Sequence, residues 1–199
     1  MARRPPKMAK GAAPMADGRT DLVDLITDEL LAEMPDLDRI EFEFTRRVGR
    51  LATILEERMD RSIAPRGFIR SEYGVINALR SIGPPFELRP TALRARLLLT
   101  SGGVSNVLGR LEHDGLVKRS RDRADGRGAI VRLTPEGVRV ADEMMGAWAA
   151  DQEDLLASAP REALATAAAA LRDILVSLGD VAPPPVGPRR VTSGARSAN

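Results

Sequence analysis

The segment from residue 86 to residue 136 constrains this chain most, because it reads as two short helices, a hairpin with a basic tip and the start of a third helix. Its centre, TSGGVSNVLGRLEHDG, supplies the strongest pattern. Over residues 101–114, Val104, Val107, Leu108 and Leu111 recur at i, i+3, i+4 and i+7, so one face of a helix points inward. The opposite face carries Gly102, Asn106, Gly109 and His113, with Ser105 and Arg110 at its edges. Each glycine inside a helix costs about 1 kcal/mol relative to alanine. An exposed face that accepts two of them suits close approach to another surface, such as the floor of a DNA major groove. Asn106 has the amide geometry to pair with adenine, and Arg110 has the fork for guanine or a phosphate. Ser101 and Ser105 suit phosphate or base contact near the N-terminus, where backbone amides also favour phosphate. The plainer alternative is a solvated helix with a frayed start.

The preceding helix is predicted over residues 90–98, with Leu93, Leu97 and Leu98 packed inward and Arg94 and Arg96 left for phosphates. Leu111, Leu116 and Val117 mark the point where the second helix hands over to a strand. Residues 116–120 and 129–133 alternate well enough to pair as a hairpin, and Gly126 and Gly128 serve its turn. Arg119, Arg121, Arg123 and Arg127 crowd that loop; arginines at a hairpin tip are favourable in a narrow minor groove. A solvated basic loop is the other reading of the same residues.

The formal net charge of +2 conceals an uneven distribution. Residues 86–132 carry ten basic and five acidic side chains, whereas residues 21–62 carry six basic and twelve acidic, and residues 133–178 three basic and eight acidic. A basic centre between acidic arms points to a polyanion at the centre and a different partner at the arms. Aromatic residues are only 3% of the chain, which disfavours stacking on single-stranded bases as a main activity. Cysteine is absent, so disulfides and thiolate metal sites are excluded. No apolar run approaches the roughly 18 residues of a membrane span, and the basic start MARRPPKMAK has no apolar segment behind it. These features place the chain in a bacterial cytoplasm, without membrane partner or cofactor.

Around the centre the remaining chain is helical. Residues 1–20 read as a disordered basic tail, with Arg3, Arg4, Lys7 and Lys10 able to brush phosphates, and residues 179–199 as a disordered Pro- and Arg-rich tail. Leu22, Leu25, Ile26, Leu30 and Leu31 form an apolar stripe that breaks at Pro35. Asp36 or Asp38 can cap a long amphipathic helix bearing Ile40, Phe44, Val48, Leu51, Leu55 and Met59. Ser71 is the expected cap of a helix through Tyr73, Ile76 and Leu79. Thr134-Pro135 starts a helix faced by Val138, Ala141, Met144, Met145 and Trp148, and a last helix carries Leu164, Ala168, Leu171, Leu175 and Leu178. The terminal helices, residues 21–62 and 135–178, each bear a stripe that a monomer leaves wet. Two-fold pairing would bury them, and a homodimer is expected.

The central residues resemble the MarR family of bacterial winged helix-turn-helix regulators. The likeness rests on Ser101-Gly102-Gly103, Ser105-Asn106, Leu111-Glu112 with Gly115-Leu116-Val117 and Arg119, Asp125 with Arg127, and residues 133–137, LTPEG. It extends over residues 21–178. It implies a mainly α fold with a small β-hairpin wing, in which residues 71–134 form the winged helix-turn-helix and the terminal helices interlock in a dimer. It also implies that Arg127 enters the minor groove with Asp125 steadying the wing, and that repression is relieved by a small molecule. The chain departs from the family at Arg89-Pro90, where Thr-Pro is common, at Gly126 in the wing, and at Gly109, where an acidic residue is usual. Pro35-Asp36-Leu37-Asp38 is similar to the branch with urate-responsive members. Leu30 and Gly74 stand where that branch places tryptophan and aspartate, so urate is not predicted. Arg47 and Arg50 are the residues available to a small anionic or aromatic effector.

The expectation is a nucleoid-associated homodimeric regulator that reads double-stranded DNA through Arg94, Arg96, Ser101, Gly102, Ser105, Asn106, Arg110, Arg121, Arg123, Asp125 and Arg127. Two other readings use the same arginines, a constitutive repressor without ligand response and a non-specific architectural DNA-binding protein. An enzyme is not expected: the single histidine, His113, has no ligand partner at metal spacing, and SGGVS lacks the pattern of a nucleophile elbow.

Overall fold

The computed structural model describes residues 20–121 and 128–181. The expected terminal tails and the wing tip, including Arg123, Asp125 and Arg127, lie outside the described residues. The chain separates into one unit ending at Glu153 and a second beginning at Asp154. None of its described helices is long and apolar enough to cross a membrane.

The first unit opens with helix α1, Leu22–Glu33, and helix α2, Arg39–Ile63. Asp21 caps α1 by accepting from the backbone N–H groups of Val23 (2.8 Å) and Asp24 (3.0 Å), while the Asp24 carboxylate accepts from the Asp21 N–H (2.9 Å). That reciprocal box satisfies donors that the first helical turn leaves free. Asp38 is the cap of α2, accepting from Ile40 (2.9 Å) and Glu41 (3.1 Å). A short 3-10 turn, Ala64–Arg66, ends at Gly67, whose φ of 80° is the left-handed conformation a helix exit needs.

Helix α3, Arg70–Ser81, is the centre of the core; Tyr73, Val75, Ile76, Ala78 and Leu79 are all buried. Ser71 does not cap it. Ile69 holds that position without a polar side chain, and Glu72 reaches back to accept its N–H at 3.0 Å. A second carboxylate-bearing turn after a capless residue is invisible to a search for Ser, Thr, Asp or Asn at the boundary.

Strand β1, Glu87–Leu88, helix α4, Pro90–Leu97, helix α5, Ser101–His113, and strands β2, Val117–Arg121, and β3, Ala129–Leu133, complete the winged segment. The sheet is antiparallel in the order β1-β3-β2, with Glu87 opposite Arg132 and Arg119 opposite Val131. The predicted hairpin therefore gains a third strand, secured by the Arg132–Glu87 pair at 2.6 Å. Leu93 is fully buried as expected and Leu97 half-buried, but Leu98 is 89% exposed. Its φ of 52° puts it in the left-handed turn between α4 and α5, which rotates it off the inward stripe.

Helix α6, Pro135–Leu156, buries Ala141, Met144 and Trp148. It starts against the wing. A Cβ on Gly137 would stand 2.0 Å from the Leu116 carbonyl oxygen, an approach no side chain tolerates. The second unit contains α7, Arg161–Ser177, none of whose residues is buried. Gly137→Ala is expected to destabilise the protein by about 3 kcal/mol, the upper range for forced overpacking, in urea unfolding followed by circular dichroism. An unchanged midpoint would mean that α6 does not start against β2.

Candidate nucleic-acid interface

The exposed face of α5 is presented because the opposite face is held so firmly. Val104, Val107, Leu108 and Leu111 are buried, the four positions expected from the sequence. Thr100 caps the helix, its hydroxyl accepting from the Gly103 N–H at 3.1 Å. A Cβ on Gly103 would lie 3.2 Å from that hydroxyl, so this glycine serves the cap. A Cβ on Gly102 meets nothing within 4 Å, and one on Gly109 meets only Arg119 Nη2 at 3.9 Å. Ser105, Asn106, Gly109, Arg110, His113 and Asp114 line an open concavity of about 560 Å³ along this face. Its lining has no large side chains other than arginine and histidine.

Several predicted contact residues are brought together here, and some bind one another. Arg94 Nη1 donates to Ser101 Oγ at 2.9 Å, tying the end of α4 to the first turn of α5. Arg96, Ser105, Asn106 and Arg121 are exposed. Arg110 has a second duty that the sequence did not disclose. Its Nε stands 2.9 Å from Oε1 of Glu72, whose side chain is 2% exposed. That oxygen has no aligned hydrogen-bond donor, so the contact is an ion pair by distance rather than a directed hydrogen bond. Arg110 therefore neutralises a buried carboxylate while most of its own side chain, 59%, remains exposed. Glu72 was not among the candidates, because its partner lies 38 positions away on another helix.

Arg119 and Glu112 were also missed as a working pair, although both sit in the motif that carried the resemblance. Glu112 accepts from the Arg119 backbone N–H at 3.1 Å and approaches its Nε at 3.1 Å. Arg119 Nη2 then reaches the Ser105 carbonyl at 3.4 Å. The seven-residue offset between the two charges spans the turn from helix to strand and has no helical or strand periodicity to reveal it.

The predicted effector residues look different in three dimensions. Arg47 is bound by Asp21 (2.9 Å), Asp24 (2.6 Å) and Glu43 (2.9 Å), so it offers no spare charge to an anion. The Arg47 guanidinium holds the Asp21 carboxyl below the usual carboxylate range, and Asp21 in turn raises the pKa of Arg47. Arg50 is exposed on α2.

A strand-supported helix with a bare polar face, followed by a wing of basic strands, is the architecture of the winged helix. The model of the MarR family matches residues 66–128, from the last residue of the 3-10 turn into the wing. Over that segment the chain is a match to the MarR family. It is similar to the HTH-type transcriptional regulator PecS of Dickeya dadantii, 23% identical over 124 residues that cover 62% of this chain and 75% of PecS. Among solved structures it resembles Sco3205, a MarR family transcriptional regulator from Streptomyces coelicolor in complex with DNA. That likeness has a TM-score of 0.64 and 26% identity, covering 71% of this chain and 89% of Sco3205. An Escherichia coli MarR mutant complexed with operator DNA shares the fold at a TM-score of 0.59 and 19% identity, over 78% of this chain and 99% of that one.

The Glu72 contact gives Arg110 a structural role that can be measured by itself. Arg110→Ala is expected to cost about 1–3 kcal/mol in urea unfolding, because it leaves a buried acceptor without its partner. In a Glu72→Gln background, where the α3 cap is kept and the charge removed, the same substitution should cost clearly less. Equal losses in both backgrounds would show that the pair does not stabilise the fold.

Proposed function

We propose that this chain is a sequence-specific transcriptional regulator that binds duplex DNA as a homodimer and represses transcription from the bacterial nucleoid. The carrying observation is the exposed face of α5, where Ser105, Asn106 and Arg110 surround bare glycine backbone above a fully buried hydrophobic face. Asn106 would read base edges in the major groove, while Arg94 and Arg96 on α4 and Arg121 on β2 would meet phosphates. Arg127, steadied by Asp125, and Arg123 would complete the wing in the minor groove. The DNA complexes of Sco3205 and of E. coli MarR support this reading. The function is binding, with no catalytic step.

The apolar stripes of α1 and α2 support the dimer. Leu22, Leu25, Ile40, Phe44, Val48 and Leu51 remain between 37% and 57% exposed in the single chain. Large side chains at helical spacing along 25 residues of α2 are better matched to a second protein surface than to water. A two-fold pair would present two α5 helices to half-sites whose centres are roughly 10 bp apart.

Release by a small molecule would act by changing the separation of those helices, which requires different ligand affinities for the two states. A cavity of about 780 Å³ between α2, α3 and α4 suits such a molecule, with Phe68, Ile69 and Leu97 as its apolar part. Arg70 in its wall is paired with Glu56 (2.6 Å) and Asp60 (3.1 Å). One arginine against two carboxylates favours a neutral or cationic effector over the anionic half of the anionic or aromatic class expected from the sequence.

Duplexes selected by the full chain from a randomised library, compared with scrambled duplexes in fluorescence anisotropy at fixed salt, test the regulator reading. A specific reader should prefer the selected sequence by roughly 10³-fold or more. Asn106→Ala should shrink that ratio with little effect on scrambled DNA. Equal affinity of the wild type for both duplexes would instead identify a non-specific architectural protein.

A further inference from the structure

We propose that Arg119, at the root of the wing, is a DNA-phosphate contact delivered by β2 onto the edge of the α5 reading face. The inference rests on the regulator reading above and specifies a residue of that same site. It starts from a charge deficit. Over Ser101–His113 the only formally charged residues are Arg110 and Glu112, so α5 itself is neutral with His113 uncharged. Its one arginine already balances the buried Glu72 carboxylate. A neutral helix is poorly suited to a polyanion, so beyond Arg94 and Arg96 of α4 a second neighbour adds positive charge.

The neighbour is β2, VKRSR. Side chains alternate along a strand, so Arg119 shares a side with the buried Val117, and Lys118 points to the other. Arg119 is thereby turned toward α5. Its Nη2 lies 3.4 Å from the Ser105 carbonyl and 3.9 Å from the place a Cβ on Gly109 would occupy. The arginine therefore lies alongside Gly109, one turn from Asn106, at ordinary contact distance. Glu112 fixes the root of the side chain through the Arg119 backbone N–H and Nε, both at 3.1 Å. The Ser105 contact is long for a hydrogen bond, so a phosphate oxygen can replace it with a shorter, charge-assisted one. The side chain is 35% exposed, enough to admit that oxygen and enough restraint to orient the fork.

The test uses the full chain and a duplex selected by it, with affinity measured across a salt series. Arg119→Ala should lower the slope of log affinity against log salt by about 0.9, the value for one lost phosphate neutralisation. It should weaken selected and scrambled duplexes alike. Arg119→Lys should keep the slope. Arg119→Gln keeps the stem and a donor near the Nε position that faces Glu112 while removing the charge. It should show the same slope loss even if the alanine variant folds poorly. An unchanged slope and affinity in a folded Arg119→Gln protein would overturn the proposal and leave the residue as a helix-to-wing clamp only. If the wild type binds no duplex, the regulator reading fails first and takes this inference with it. A slope loss confined to the Arg119 variants cannot be confused with that outcome.

Discussion

The reading face depends on one junction, where the carbonyl of Leu116 meets the backbone and side chain of Thr134. The Leu116 N–H donates to the Leu111 carbonyl at 2.9 Å, closing the end of α5, and its own carbonyl accepts from the Thr134 N–H at 3.0 Å. The Thr134 hydroxyl donates to the Gly115 carbonyl at 2.8 Å and accepts from the Gly137 N–H at 2.9 Å. One 8%-exposed threonine therefore joins the last turn of α5, both strands of the wing and the first turn of α6. Gly137 is the steric condition for that meeting, since any Cβ there collides with the Leu116 carbonyl. With the junction fixed, the direction in which β2 leaves α5 is fixed, and so is the side on which its arginines emerge.

Electrostatics then divides the arginines by task. Two on α2 serve the arms: Arg39 binds Asp28 and Glu43, and Arg47 binds Asp21, Asp24 and Glu43. Arg80 joins α3 to Asp142 on α6 at 2.7 Å, and Arg132 joins β3 to Glu87. Such exposed pairs contribute little stability singly, but they occupy the charge. The basic centre is different. Arg94 is held by a neutral serine hydroxyl, Arg110 is largely exposed beyond its carboxylate, and Arg96 and Arg121 are exposed. Within the basic centre Arg119 and Arg132 are paired with Glu112 and Glu87, while Arg94, Arg96, Arg110 and Arg121 stay exposed.

The parts of the fold legible in the sequence are those with strong local periodicity. The inward face of α5, the strands of the wing and the caps at Asp38 and Thr134 follow from spacing and side-chain chemistry within a few residues. What escaped detection was non-local or too short. Strand β1 has two residues, below any period, and exists because β3 offers it an edge. Leu98 fits the apolar stripe of α4 but is turned outward by a left-handed φ that no neighbouring residue announces. Ser71 looked like a cap because the carboxylate that replaces it sits one position later. The roles of Glu72, Glu112 and Arg119 come from contacts across elements, and the carboxylates that engage Arg47 come from α1 and its cap as well as its own helix.

The surface proposed to face DNA is the outer face of α5 with the root of β2, which Arg119 joins through the Ser105 carbonyl. Backbone hydrogen exchange of the full chain, with and without a duplex it has selected from a random library, measures this most directly. Slowed exchange should appear across residues 101–113 and 117–121 on DNA addition. Unchanged exchange in both segments under saturating duplex, with protection elsewhere in the chain, would contradict the account.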